Sequence, residues 1–224
     1  MKLHILSDLH LEANTFNIPK TDADVIILAG DIHEGSAAVK WIQEQTDTPV
    51  VYITGNHEYY GHFCPELKYE LRRICPSNRN IIYDGPEIHF LENQSVIING
   101  VRFLGCTLWT DNTHEYRDRN IAAIGKIQME QKRIVPRIFT STDTLQLFEE
   151  SIGWLSYQLE DKTYPTVVVT HHAPSYKSNY YNEDECHILP HDFDRVFMYM
   201  SDLDEFILKH EPEMWIHGHL HISQ

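Results

Sequence analysis

Four short apolar runs stand out along the chain, each closed by a polar cluster: KLHIL (2–6), VIILA (25–29), VVYIT (50–54) and TVVVT (166–170). They are rich in β-branched residues, nearly free of charge and too short for helices, which predicts buried strands. Between them the spacing lengthens. GSAAVKWIQEQ (35–45) and PELKYELRRIC (65–75) read as helices, with Pro65 suited to a first helical turn. Alternating strands and helices predict an α/β fold. Residues 88–109, IHFLENQSVIINGVRFLGCTLW, break the rhythm: two β-rich runs flank Asn99-Gly100, a dipeptide that favours a tight hairpin. The sheet system is therefore predicted to be mixed. Further helices are predicted over 115–135 and 143–160, the second capped by Thr142 or Asp143. Residues 171–195 read as loop, and a helix at about 200–210 leads into the strand MWIH. No repeat, low-complexity tract or linker divides the chain, so one domain over 1–224 is expected.

Composition narrows the function. With 224 residues, 42% of them apolar, the chain can bury a sizeable core. Its 18 Lys and Arg against 33 Asp and Glu give a formal charge of −15. Nucleic acid is held chiefly by Lys and Arg at phosphates, which argues against it as an extended partner. An acidic chain can still handle phosphate where metal ions supply the positive charge. The 15 histidines, nearly as many as all the Lys and Arg, fit that route. Cys64, Cys75, Cys106 and Cys186 show no C-x-x-C spacing and read as reduced core thiols. The N-terminal MKLHILSDLHLE is too polar for a signal peptide, and no stretch approaches a membrane span. A soluble, cytoplasmic protein is expected.

The ends of the strands carry the chemistry. The first runs into SDLHLE, where Asp8 and His10 are two residues apart; in an extended chain both would face one way and reach one ion. The second ends in AGDIHEG, with Asp31 after Gly30, either a ligand or a capping carboxylate. The third ends in TGNHEYYG, offering the Asn56 carbonyl oxygen and the His57 imidazole. The fourth ends in THHAPS, with His171 and His172, and the fifth in WIHGHLH, with His219 and His221 again two apart. His217 is left out, because Gly218 breaks the strand there. Singly these are weak signals. Together they put Asp, Asn and His at five strand ends, where open α/β sheets bind ligands. Oxygen and imidazole donors without thiolate suit Mn, Fe, Co or Zn.

The ordered series D-x-H, G-D, G-N-H-E, H and G-H-x-H, from Asp8 to His221, resembles the calcineurin-like metallophosphoesterase superfamily. GCTLWTD (105–111), THHAPS (170–175) and WIHGHLH are similar to its uncharacterised bacterial phosphohydrolases. The resemblance implies a four-layer α/β/β/α sandwich, the metallo-dependent phosphatase fold. It implies two divalent metal ions, Mn foremost with Fe, Zn or Co as alternatives. Asp8, His10 and His221 would hold one, Asn56, His171 and His219 the other, and Asp31 would bridge them. A phosphate mono- or diester would be hydrolysed by a metal-bridging hydroxide, with His57 protonating the leaving oxygen or stabilising developing charge. Glu58 would either orient His57 or lie at the surface. His33, His114, His172 and Tyr59 would line the substrate pocket or be ordinary core and surface residues. Two departures from the family pattern are visible. Only Ile222, Ser223 and Gln224 follow His221, where the family continues with further strands, and no Arg pair stands ready to clamp phosphate. An inactive binding scaffold on the same fold is the competing expectation.

Overall fold

The computed structural model describes residues 1–75, 85–111, 139–178 and 199–221. The helix expected at 115–135, His114, Cys186 and most of the 171–195 loop lie outside them. Among the described residues, two four-stranded sheets form the centre. The first holds β1 (Leu3–Leu6), β2 (Val25–Ala29), β3 (Val50–Ile53) and β4 (Ile88–Phe90), side by side in that order and all parallel. The second holds β5 (Gln94–Ile98), β6 (Val101–Cys106), β7 (Thr166–Thr170) and β8 (Met214–Ile216). There β5 and β6 are antiparallel and the other pairs parallel. Among the described residues four α-helices accompany them: α1 (Ala37–Gln45), α2 (Cys64–Ile74), α3 (Ser141–Glu160) and α4 (Asp204–His210).

Strand parity builds the layers. Successive residues of a strand point to opposite faces. Val25, Ile27, Ala29, Val51 and Ile53 of the first sheet therefore meet Phe103, Val167, Val169 and Ile216 of the second in an apolar seam. The alternate residues Ile26, Leu28, Val50 and Tyr52 join Val39, Ile42, Leu67 and Leu71 of α1 and α2 in an outer core. Leu104 and Val168 join Phe148, Leu155 and Leu159 of α3 in the same way. The result is the α/β/β/α sandwich. Among the described residues no helix is long and apolar enough to cross a membrane. Cys64, Cys75 and Cys106 are free and buried, and burial pushes the first two thiols up to about 11 and about 12.

Several boundaries differ from expectation by a residue or two, and three differences have a local reason. Asn99 and Gly100 do form the hairpin turn, with φ of 49° and 79°. The run before them, however, is not one strand. Ile88–Phe90 joins the first sheet, Asn93 reverses the chain at φ 51°, and β5 starts the second sheet. The cap of α3 is Thr140: its N–H donates to the Asp143 carboxylate at 2.8 Å, so Asp143 is the third helical residue and closes a capping box. Helix α4 begins at Asp204 because Ser201 and Leu203 donate their amides to Ala173 and Pro174 instead.

A buried polar staple fastens the sheets beneath the strand ends. Glu92 Oε2 accepts from Thr107 N and Oγ1, both at 2.9 Å, and Glu92 Oε1 lies 2.8 Å from Lys68 Nζ. Thr107 Oγ1 in turn lies 2.8 Å from Thr54 Oγ1. Burial opposes the Lys68 charge, but Glu92 holds the ammonium above its usual range. The staple ties α2 and the end of β3 to the end of β6, so the loops after both sheets start from fixed points.

Candidate metal centre

The loops after β1, β2, β3, β7 and β8 converge at one end of the sandwich. Extended geometry is not what brings their side chains together. β1 stops at Leu6 and β8 at Ile216, and Asp8, His10, Asp31, His219 and His221 take φ of 54°, 46°, 53°, 70° and 53°. This left-handed region disfavours residues with a Cβ, and such departures gather where the surroundings over-determine them. Here the surroundings do so. Asp8 N, His10 N and Leu11 N donate to Gly30 O, Asp31 O and Ile32 O, each at 3.0 Å, lacing the first two loops together. Gly30, at φ 87°, is pressed so closely that a Cβ would fall 2.5 Å from His171 Nδ1.

Glu58 supplies the other lacing. It is not at the surface, nor does it orient His57: it is fully buried. Its carboxylate accepts from Asp31 N (3.0 Å), Ile32 N (2.9 Å), Gly55 N (2.8 Å) and the Tyr52 hydroxyl (3.1 Å). One side chain thus holds the loops after β2 and β3 together. Burial, then the neighbouring Asp31 charge, pushes Glu58 up to about 7, against the pull of the donated amides.

On this frame three groups of donors form among the described residues, two of them sharing Asp8 and the third made of His10, Glu12 and His57. In the first, Asp8, Asp31, His171 and His219 offer atoms all within 4.8 Å of one another; the second, equally tight, is Asp8, His10 and His221. His219 and His221 therefore part company, although one residue separates them. Asp8 belongs to both groups. Its carboxylate also accepts the His219 amide at 2.9 Å and lies 3.3 Å from His221 Nε2. Asp31 Oδ2 lies 3.3 Å from His171 Nε2, and Asp31 Oδ1 accepts the His57 amide at 2.8 Å.

The donor chemistry suits a cation. His10 Nδ1 faces the Glu12 carboxylate at 3.2 Å and His171 Nδ1 faces the Ala29 carbonyl at 2.9 Å. Both partners only accept, so each Nδ1 carries a proton and each Nε2 is turned inward. There His10 Nε2 lies 3.2 Å from His221 Nε2, and His171 Nε2 lies 3.0 Å from His219 Nδ1. Paired nitrogens beside two carboxylates call for positive charge between them. Asn56 adds an oxygen: its Nδ2 donates to the Tyr60 hydroxyl at 2.8 Å, while its Oδ1 is buried without a hydrogen-bond partner. The residues present therefore fit divalent ions held by nitrogen and oxygen.

The charges respond accordingly. Burial opposes ionisation of His171, but the Asp31 charge drives its pKa up to about 10. Burial, then the positive His171 beside it, pushes His172 down to about 3, and burial likewise holds His219 well below its usual value. Burial would raise Asp8, yet the His221 hydrogen bond and the His171 charge take it well below the carboxylate range.

The remaining candidates divide. The His57 ring stands over His10 at a centroid distance of 4.3 Å, with Nε2 3.9 Å from Asp31 Oδ2. Tyr59 is fully buried, its hydroxyl 2.9 Å from Thr54 Oγ1, and it packs in the core. His172 is also buried, behind His219 at 4.4 Å and bonded to Thr107 O. His33 bonds the Glu34 carbonyl. His217 turns to Ser178 and the Gly218 carbonyl. Glu12, which the sequence reading passed over, contacts both His10 and His57. Its signal was available: Asp8, His10 and Glu12 are evenly spaced in SDLHLE.

Fold and site together define a two-sheet α/β sandwich with a candidate centre of carboxylates and imidazoles at its strand ends. The model of the calcineurin-like phosphoesterase family matches residues 1–223, and the chain belongs to that family, whose members are metal-dependent phosphoester hydrolases. It is also similar to "Uncharacterized protein L509" of Acanthamoeba polyphaga mimivirus, at 29% identity over 99% of this chain and 85% of the relative.

Proposed function

We propose that this chain hydrolyses a small-molecule phosphate mono- or diester with two divalent cations, manganese foremost. The observation that carries this reading is the pair of inward-facing nitrogen couples, at 3.0 and 3.2 Å, set about Asp8 and Asp31. Asp8, His10 and His221 would hold one ion and Asn56, His171 and His219 the other, with Asp31 shared. Bound cations of this kind neutralise phosphate charge and lower the pKa of water, so hydroxide is available near neutral pH. The chain's own residues do the rest. Asp31 is fixed through its backbone by Glu58 and through its carboxylate by the His57 amide. His57 turns Nε2 toward that carboxylate, where a proton can pass to the leaving oxygen of an ester seated beside it. A catalytically silent scaffold on this fold would have no need of a proton carrier at that position.

The sharing of Asp31 has a direct test. Asp31→Asn removes charge from both sites, so elemental analysis after gel filtration should find fewer than two Mn per chain, with both sites weakened. Two tightly held ions in that variant would rule Asp31 out as the bridge. If Asp8→Asn then lost both, the bridge would pass to Asp8, the residue common to both groups. Turnover of p-nitrophenyl phosphate and bis-p-nitrophenyl phosphate by the wild-type chain with added Mn tests the reading as a whole.

A further inference from the structure

Resting on the phosphoesterase reading, we propose that Glu12 is a positioning residue that sets two imidazoles at once: the proton-carrying His57 and the ligand His10. A single oxygen does both. Glu12 Oε1 lies 3.0 Å from His57 Nδ1 and 3.2 Å from His10 Nδ1. The segment that carries it is wound tightly, since Ala13 N and Asn14 N both donate to His10 O at 2.9 Å. Glu12 therefore stays beside the residue two positions before it while reaching a residue 45 positions later.

The chemistry follows from what a carboxylate can do. It only accepts, so both Nδ1 atoms must present protons to it. Each imidazole then has its Nε2 directed away from Glu12 and into the centre. For His10 that nitrogen meets His221, and for His57 it meets Asp31. A ring nitrogen's role is set by the bond the other nitrogen makes. Glu12 thus fixes His10 as an Nε2 donor and turns the Nε2 of His57 over the reaction zone. The two rings, 4.3 Å apart and 68° from parallel, are held edge to face by this one group. Glu58, the acid adjacent to His57 in sequence, is spent on backbone amides and leaves the task to Glu12.

The test uses Glu12→Gln and Glu12→Asp, each alone and combined with His57→Ala. Two readouts are needed: kcat and KM with Mn for p-nitrophenyl phosphate and phenyl phosphate, and Mn affinity of the metal-stripped protein by calorimetry. Partners of this kind, when removed, change affinity or activity by about 10- to 100-fold. Glu12→Gln should lower kcat by about that range with KM little changed, more for phenyl phosphate, whose leaving group needs a proton. In the His57→Ala background it should lower kcat no further, because its effect on turnover runs through His57. Its effect on affinity, roughly 10-fold at the weaker site, should persist there, because His10 remains. Glu12→Asp should recover part of both losses. Unchanged kcat and affinity in Glu12→Gln would overturn the proposal, as would a further fall in kcat in the His57→Ala background. So would the loss of a whole Mn equivalent, which would make Glu12 a ligand. If the wild-type chain turned over neither these monoesters nor the diester bis-p-nitrophenyl phosphate, the phosphoesterase reading would fail, while the affinity arm would still judge the hold of Glu12 on His10.

Discussion

Replacing His57 with alanine is expected to leave both cations bound and to reduce turnover by about 10²–10⁴-fold, the usual worth of a positioned acid or base. The ring is placed for such work: Nδ1 is anchored on Glu12, Nε2 faces Asp31, and the side chain keeps 30% of its surface open. The leaving-group dependence separates two roles. If His57 delivers a proton, the loss should be severe for phenyl phosphate and slight for p-nitrophenyl phosphate, whose leaving group departs unprotonated. An equal loss for both would make the ring a stabiliser of developing charge. Elemental analysis decides the remaining possibility. His10, Glu12 and His57 also bring their donor atoms within 4.8 Å of one another, so loss of an ion from His57→Ala would make the histidine a ligand and end its assignment as the acid.

Glu58→Ala is expected to be the most damaging single change to stability. The carboxylate satisfies three backbone amides and a tyrosine hydroxyl in a place where Glu58, Tyr52, Asp31 and Gly55 are all buried. Leaving a buried donor unsatisfied costs about 1–3 kcal/mol. Four such groups, partly relieved by water entering the space, suggest a loss of about 4 kcal/mol. That corresponds to roughly 10 °C in Tm for a chain of this size. Urea denaturation monitored by far-UV circular dichroism would measure it, with Glu44→Ala on the exposed face of α1 as the control. A loss under about 1 kcal/mol, the scale of one ordinary hydrogen bond, would mean the loops after β2 and β3 do not depend on Glu58.

Much of this architecture was legible in the chain because buried parallel strands are written as uninterrupted apolar runs. Val25–Ala29 and Thr166–Thr170 match their runs residue for residue, and Asn99-Gly100 announced its hairpin. The gathering of Asp, Asn and His at strand ends was legible for the same reason, since a strand's end is where its apolar run stops. The route by which those side chains meet was not. Equal spacing suggested an extended backbone, whereas Asp8, His10, His219 and His221 all turn through left-handed conformations that only the laced loops can hold. The acids were hardest to place. Glu12, Glu58 and Glu92 read alike in one dimension, and what distinguishes them is the donors that reach them: two imidazoles for Glu12, amides from two loops for Glu58, and Lys68 with Thr107 for Glu92. Those donors come from distant parts of the chain, so no local pattern records them.

The donor groups that share Asp8 draw on both sheets: Asp8, His10 and Asp31 follow strands of the first, and His171, His219 and His221 follow strands of the second. A cation seated there is thus a clasp between two halves of the molecule that the unfolded chain cannot form. Mass action then links the salt composition of the medium to the folding equilibrium. An ion that binds only the native form at one hundred times its Kd adds about 2.7 kcal/mol to stability. Tm should accordingly climb with the logarithm of free Mn concentration and fall back on chelation, a dependence that differential scanning calorimetry can follow without any substrate. The availability of the ion would in this way govern how long the folded chain survives as well as whether it works.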